Sequence, residues 1–86
     1  MPKGKGRLLP EGERPIEIVM GENIKRYFLL SDYVNLAAFA KDVKCGSKQL
    51  REVMSGEKTF SAPVLQRIAY LLNVKTIDLI EDWSEE

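Results

Sequence analysis

The spacing of apolar residues between positions 36 and 56 constrains this chain more than any other feature. Leu36, Phe39, Ala40 and Val43 occupy the i, i+3, i+4 and i+7 positions of one helical face. The stripe breaks at Lys44-Cys45-Gly46 and resumes at Leu50, Val53 and Met54. It stops at Gly56, a residue suited to a left-handed helix end. The pattern predicts two short helices across a tight turn. Neither can bury its apolar face alone, so the fold needs further elements.

Both flanks supply them. On the N-terminal side, Ile24, Tyr27 and Phe28 share a face, with Lys25 and Arg26 opposite. Leu29, Leu30 and Tyr33 add more apolar surface than one stripe requires. Residues 15–19 alternate weakly and read equally as a short edge strand or as the lead into this first helix. Ser31 and Asp32 end it. Asn35 is a good N-cap for the second helix, whose Ala-rich interior favours helix. Gly46 or Ser47 caps the third, which runs to about Ser55.

Ser61-Ala62-Pro63 is a helix start, since Pro is tolerated in a first turn. Leu65, Ile68, Ala69 and Leu72 form the fourth stripe, and Asn73 can take the left-handed position that closes it. Thr76 is expected to cap a short fifth helix carrying Ile77, Leu79 and Ile80 and ending near Trp83. The expected fold is therefore all-α: a compact five-helix domain over residues 16–83. A flexible basic, Gly- and Pro-containing tail over 1–15 precedes it, and an acidic end over 84–86 follows.

Composition narrows the chemistry. Thirteen Lys and Arg balance 13 Asp and Glu, so any nucleic-acid surface must come from segregated charge. The charge is partly segregated. Lys3, Lys5 and Arg7 make the start positive, the stretch 25–58 carries more basic than acidic side chains, and Asp78, Glu81, Asp82, Glu85 and Glu86 make the end negative. There is no His, and Cys45 is the only cysteine, which argues against a disulfide framework or a zinc site, and no cofactor is expected. No apolar run approaches membrane-spanning length, and the first residues lack a signal-peptide core. A soluble, cytoplasmic protein with no membrane contact is expected. Without His the usual general base is missing, and no Gly-rich phosphate loop follows a strand, so catalysis is not expected.

With this register laid out, residues 20–82 resemble the phage-repressor and Cro-type helix-turn-helix family, the lambda-repressor-like DNA-binding domains. The matching residues are Phe39-Ala40, Val43, Leu50, Val53, the Ser55-Gly56 turn, Leu65, Ile68-Ala69, Leu72 and Asn73-Val74. Three departures stand out. Family members commonly carry Gln directly after the cap of the second helix, where it touches backbone phosphate; this chain has Leu36. The turn usually holds Gly where Lys44 stands. An Arg–Glu pair that many relatives form between the first and third helices corresponds here to Phe28 and Met54. Apolar packing in place of a buried ion pair is often neutral or stabilising, and it assigns Phe28 to the core.

The resemblance implies a helix-turn-helix reader of double-stranded DNA. The third helix would present Ser47, Lys48, Arg51, Glu52 and Ser55 on its outer face. By resemblance Ser47, Lys48 and Glu52 occupy the main base-reading positions. Lys48 suits guanine O6 and N7, and Glu52 suits the cytosine amino group. Gln49, at the margin of the face, suits adenine or a phosphate, and Arg51 fits a base or a phosphate equally. Asn35, Ser55, Lys58 and Thr59 match positions where relatives touch the phosphate backbone. The basic N-terminal residues read as an unstructured tail of weak electrostatic affinity more readily than as a minor-groove arm. Cys45 reads as a small core hydrophobe.

A homodimer on two half-sites is expected, with Leu29, Leu30, Tyr33, Ile80 and Trp83 as candidates for its contact. Trp83 serves equally well as a cover for the last helix. The competing reading is a protein-interaction module or antitoxin that keeps the fold with weak or no DNA binding. Leu36, the neutral net charge and the apolar surface of the first helix favour it.

Overall fold

Pro15 begins the ordered helical body. Its carbonyl accepts the N–H groups of Ile18 and Val19 at 3.0 and 3.2 Å, and helix α1 follows over Ile16–Leu30. The stretch 15–19 is thus the lead into the first helix, and Val19 is buried. The computed structural model describes Leu9 and residues 12–82. Within them α2 spans Leu36–Val43, α3 Ser47–Met54 and α4 Ala62–Leu72, and a 3₁₀ turn covers Thr76–Leu79. Asn35 caps α2 as expected, its Oδ1 accepting the Ala38 N–H at 2.8 Å. Gly46 is the residue that enters α3, and Ser61 the one that enters α4.

The fifth helix is corrected to a 3₁₀ turn, giving four α-helices among the described residues. Lys75, not Thr76, is its cap, and the Lys75 N–H donates to Asp78 Oδ2 at 3.0 Å. The reason is burial. Only Leu79 enters the core, while Ile77 and Ile80 stay exposed, so no apolar stripe supports a full α-helical turn. Trp83 lies outside the described residues.

One core joins every element. Ile24, Phe39, Val43, Leu50, Val53, Ile68 and Leu79 are all fully buried. Helix α1 packs on α3 and on the 3₁₀ turn, α2 on α3 and α4, and α4 on the 3₁₀ turn. Phe28, assigned to the core from the sequence, is only half-buried because it sits near the end of α1. Its ring meets Phe39 at 5.2 Å and Tyr33 at 6.5 Å between centroids, and Met54 is half-buried against the same core. The loop residue Phe60 is buried and donates its N–H to Met20 Sδ at 3.4 Å.

Three helices end in the same way. After α2, α3 and α4 a residue takes positive φ: Lys44 at 69°, Gly56 at 89° and Asn73 at 62°. In each case the next N–H reaches back five residues, from Cys45 to Ala40, Glu57 to Glu52 and Val74 to Ala69. This is the Schellman closure. Gly and Asn accept it readily, but a Lys side chain strains it. We therefore expect Lys44→Gly to raise stability by about 0.5–1 kcal/mol, the relief of left-handed strain less the extra chain entropy of Gly. An upward shift of the urea midpoint at unchanged slope is the readout.

Two polar ties hold the ends of the fold together. The buried Asn23 donates from Nδ2 to the Glu81 carbonyl at 2.8 Å. Arg14 grips both Asp82 and Glu22, with its closest contacts at 2.8 and 2.9 Å. Those bonds, to Asp82 first and then Glu22, raise the guanidinium's already high pKa, and the bond from Arg14 holds the Glu22 carboxyl below its usual range. No helix among the described residues is long and apolar enough to cross a membrane.

Candidate nucleic-acid interface

Helix α3 is anchored by one face and open on the other. Leu50 and Val53 have no exposed surface. On the far side Lys48, Gln49, Arg51 and Ser55 are exposed, and Ser47 and Glu52 are half-buried. The side chains of Lys48 and Arg51 meet no hydrogen-bond or ion-pair partner among the described residues. Two unpaired cations on a rigidly seated helix form a surface that attracts anions.

Four of the remaining candidates, Asn35, Glu52, Ser55 and Lys58, have partners within the chain. Glu52 Oε1 lies 3.3 Å from Lys58 Nζ, which ties the loop after α3 back onto the helix. Ser55 Oγ lies 3.0 Å from the Glu52 carbonyl oxygen and 3.0 Å from Glu57 Oε2, and its single proton can serve either. Asn35 is exposed at the start of α2, its Oδ1 committed to the Ala38 N–H. Thr59 is exposed in the α3–α4 loop.

These residues are not scattered. A shallow groove of about 600 Å³ runs beside α3, lined by Lys48, Arg51, Glu52 and Ser55 from the helix and its end, with Met54 and Glu57. Lys25 of α1 and Leu36 of α2 complete its walls. The sequence places Lys25 only on the polar side of the first helix; its place in this groove comes from how α1 crosses α3.

Supporting groups around the turn were also missed. Arg67 of α4 donates from Nη1 to the Val43 carbonyl at 2.9 Å, closing the last turn of α2. No local pattern marks that contact, which spans two helices. Cys45 is half-buried against the core, and burial pushes its thiol pKa up, so it is a packing residue rather than a reactive one.

The surplus apolar residues separate into different places. Leu29, Leu30 and Val34 are 69%, 76% and 87% exposed around the end of α1, and Tyr70 of α4 is 82% exposed. Tyr33 is not free. Its ring packs on Phe39 at 4.8 Å, and its hydroxyl donates to Asp42 Oδ2 at 2.7 Å, a bond that raises the phenol pKa. Ile80 lines a recess with Ile16 and Val19 at the other end of α1, about 15 Å or more from Leu30 along a helix rising 1.5 Å per residue. Trp83, Lys3, Lys5 and Arg7 lie outside the described residues.

No protein-family model matches the chain, and no curated protein matches it. Its structure is similar to the crystal structure of the clp gene regulator ClgR from C. glutamicum, with a TM-score of 0.71. The likeness covers 83% of this chain and 90% of that one at 18% sequence identity. The four helices and the 3₁₀ turn of this chain therefore share their overall fold with that protein.

Proposed function

We propose that this chain is a sequence-specific regulator of transcription, of repressor or Cro type, that reads double-stranded DNA by laying α3 in the major groove. One observation carries the reading: Lys48 and Arg51 are exposed and unpaired on a helix whose opposite face is fully buried. A rigid rod with free donors is what base-edge recognition requires. The fold shared with a gene regulator adds support.

In this reading Lys48 donates to guanine, with Ser47 and Gln49 beside it. Glu52 reaches cytosine once its pair with Lys58 opens, and Arg51 takes a base or a phosphate. Asn35, Ser55, Lys58 and Thr59 hold the backbone on either side. So small a surface neutralises few phosphates. We therefore include a homodimer on half-sites about 34 Å apart, one turn of the duplex. Leu29 and Leu30 are the exposed residues that favour such a contact.

The test is the salt dependence of duplex binding. With roughly three to five phosphate contacts per subunit, the log–log slope of affinity against salt is expected near −0.9 per contact. A folded protein that ignores heparin and duplex at every salt concentration would reject the proposal. It would favour the second reading, a helix-turn-helix module or antitoxin that binds protein. The exposure of Leu29, Leu30 and Val34 is the observation behind that alternative.

A further inference from the structure

Leu36 is an odd neighbour for the residues around it. It is the first residue of α2, its position is fixed by the Asn35 cap one residue earlier, and it packs on the core with part of its side chain while the rest stays exposed. Yet it walls the same groove as Lys48, Arg51 and Ser55. An apolar side chain at that place has no use for a phosphate. A polar base edge pressed against it would lose water and gain no hydrogen bond. The major groove offers one apolar group at a base edge, the 5-methyl of thymine. Lys25, Lys48 and Arg51 outnumber Glu52 and Glu57 along the groove and supply the attraction that brings a duplex to it, and the methyl fits the apolar wall.

We infer that Leu36 is a specificity-determining residue that packs against the 5-methyl group of a thymine in the bound DNA, next to the base pairs contacted from α3. The inference rests on the regulator reading above and names one feature of its target: a thymine at a fixed place in each half-site. Leu36 recognises the methyl by withdrawing it from water. Lys48 and Arg51, on the same groove, make the neighbouring contacts of the regulator reading.

Replacing thymine by deoxyuridine deletes that methyl and leaves every hydrogen-bonding group in place, so it isolates the contact. The full chain is first used to select a duplex from a random pool. Each thymine of that duplex is then replaced singly by deoxyuridine, and affinity is measured for the natural protein, Leu36→Ala and Leu36→Gln. One replacement per half-site is expected to weaken the natural protein about fourfold, the effect of losing one buried methyl. The same replacement should leave both variants unaffected. Leu36→Gln keeps a side chain of similar volume, so it remains informative if Leu36→Ala unfolds, and the scan on the natural protein needs neither.

Salt-sensitive binding that is indifferent to every deoxyuridine overturns the Leu36 contact and leaves the regulator reading intact. Sensitivity that persists in folded Leu36 variants overturns it as well, because another residue then reads the methyl. If no duplex is selected, both readings fail together.

Discussion

Gly21→Ala is expected to destabilise the fold by about 1–3 kcal/mol, toward the upper end of what overpacking a core costs. For a domain of this size, at about 4–8 °C per kcal/mol, that is a fall in Tm of about 4–24 °C. The sign is the informative part. In an ordinary helix interior, exchanging Gly for Ala stabilises by close to 1 kcal/mol. Here a Cβ on Gly21 would lie inside van der Waals contact of the Val53 carbonyl oxygen and 3.0 Å from that of Met54. Both obstacles are backbone atoms of α3, which no rotamer change can move. Relief requires α1 and α3 to part, and that separation would also unseat Leu50 and Val53, the anchors of the proposed reading helix. Thermal melting of the single variant decides the matter. An unchanged or raised Tm would mean that the two helices do not approach as closely as described.

The largest expected effect on binding is at Lys48 and Arg51. Each alanine variant should weaken specific DNA binding by about 1–3 kcal/mol if the side chain touches a base. Stability should stay within about 0.5 kcal/mol, because both side chains are exposed and unpaired. Arg51 carries a second discrimination. A base contact predicts relaxed preference at one position of the site. A phosphate contact predicts uniform weakening across sequences and a salt slope shallower by about one. Competition titrations against the selected duplex and its single-base variants separate these outcomes. Unchanged affinity in both folded variants would remove α3 from recognition.

The pairing of Glu52 with Lys58 complicates a simple reading of that helix face. From the sequence, Glu52 reads as a base contact and Lys58 as a phosphate contact, each independent of the other. In the fold they lie 3.3 Å apart across the end of α3, so each partly offsets the other's charge before DNA arrives. An exposed pair of this kind is weak, typically under about 1 kcal/mol, so a duplex can displace it. The sequence could not show the pairing because it depends on the loop folding back along α3.

Residues that act along one helix were legible in the sequence. The stripe Phe39, Ala40 and Val43, its restart at Leu50 and Val53, the Asn35 cap and the left-handed Asn73 all follow from 3.6-residue periodicity and local backbone chemistry. Where an element's identity depended on burial, the local signal misled. Residues 76–80 carry the apolar content of a helix, but with Leu79 alone in the core they form only a 3₁₀ turn.

What the sequence determined by itself was the set of short amphipathic helices, their caps and turns, and the charged side of α3, because each depends on neighbours within a turn or two of chain. Which surfaces meet was decided only by the tertiary structure. It set Gly21 against the α3 backbone, Asn23 against Glu81, Arg67 against Val43, and Leu36 beside Lys48 and Arg51. These contacts join residues far apart in sequence, and their geometry follows from how whole helices cross, which no local pattern encodes.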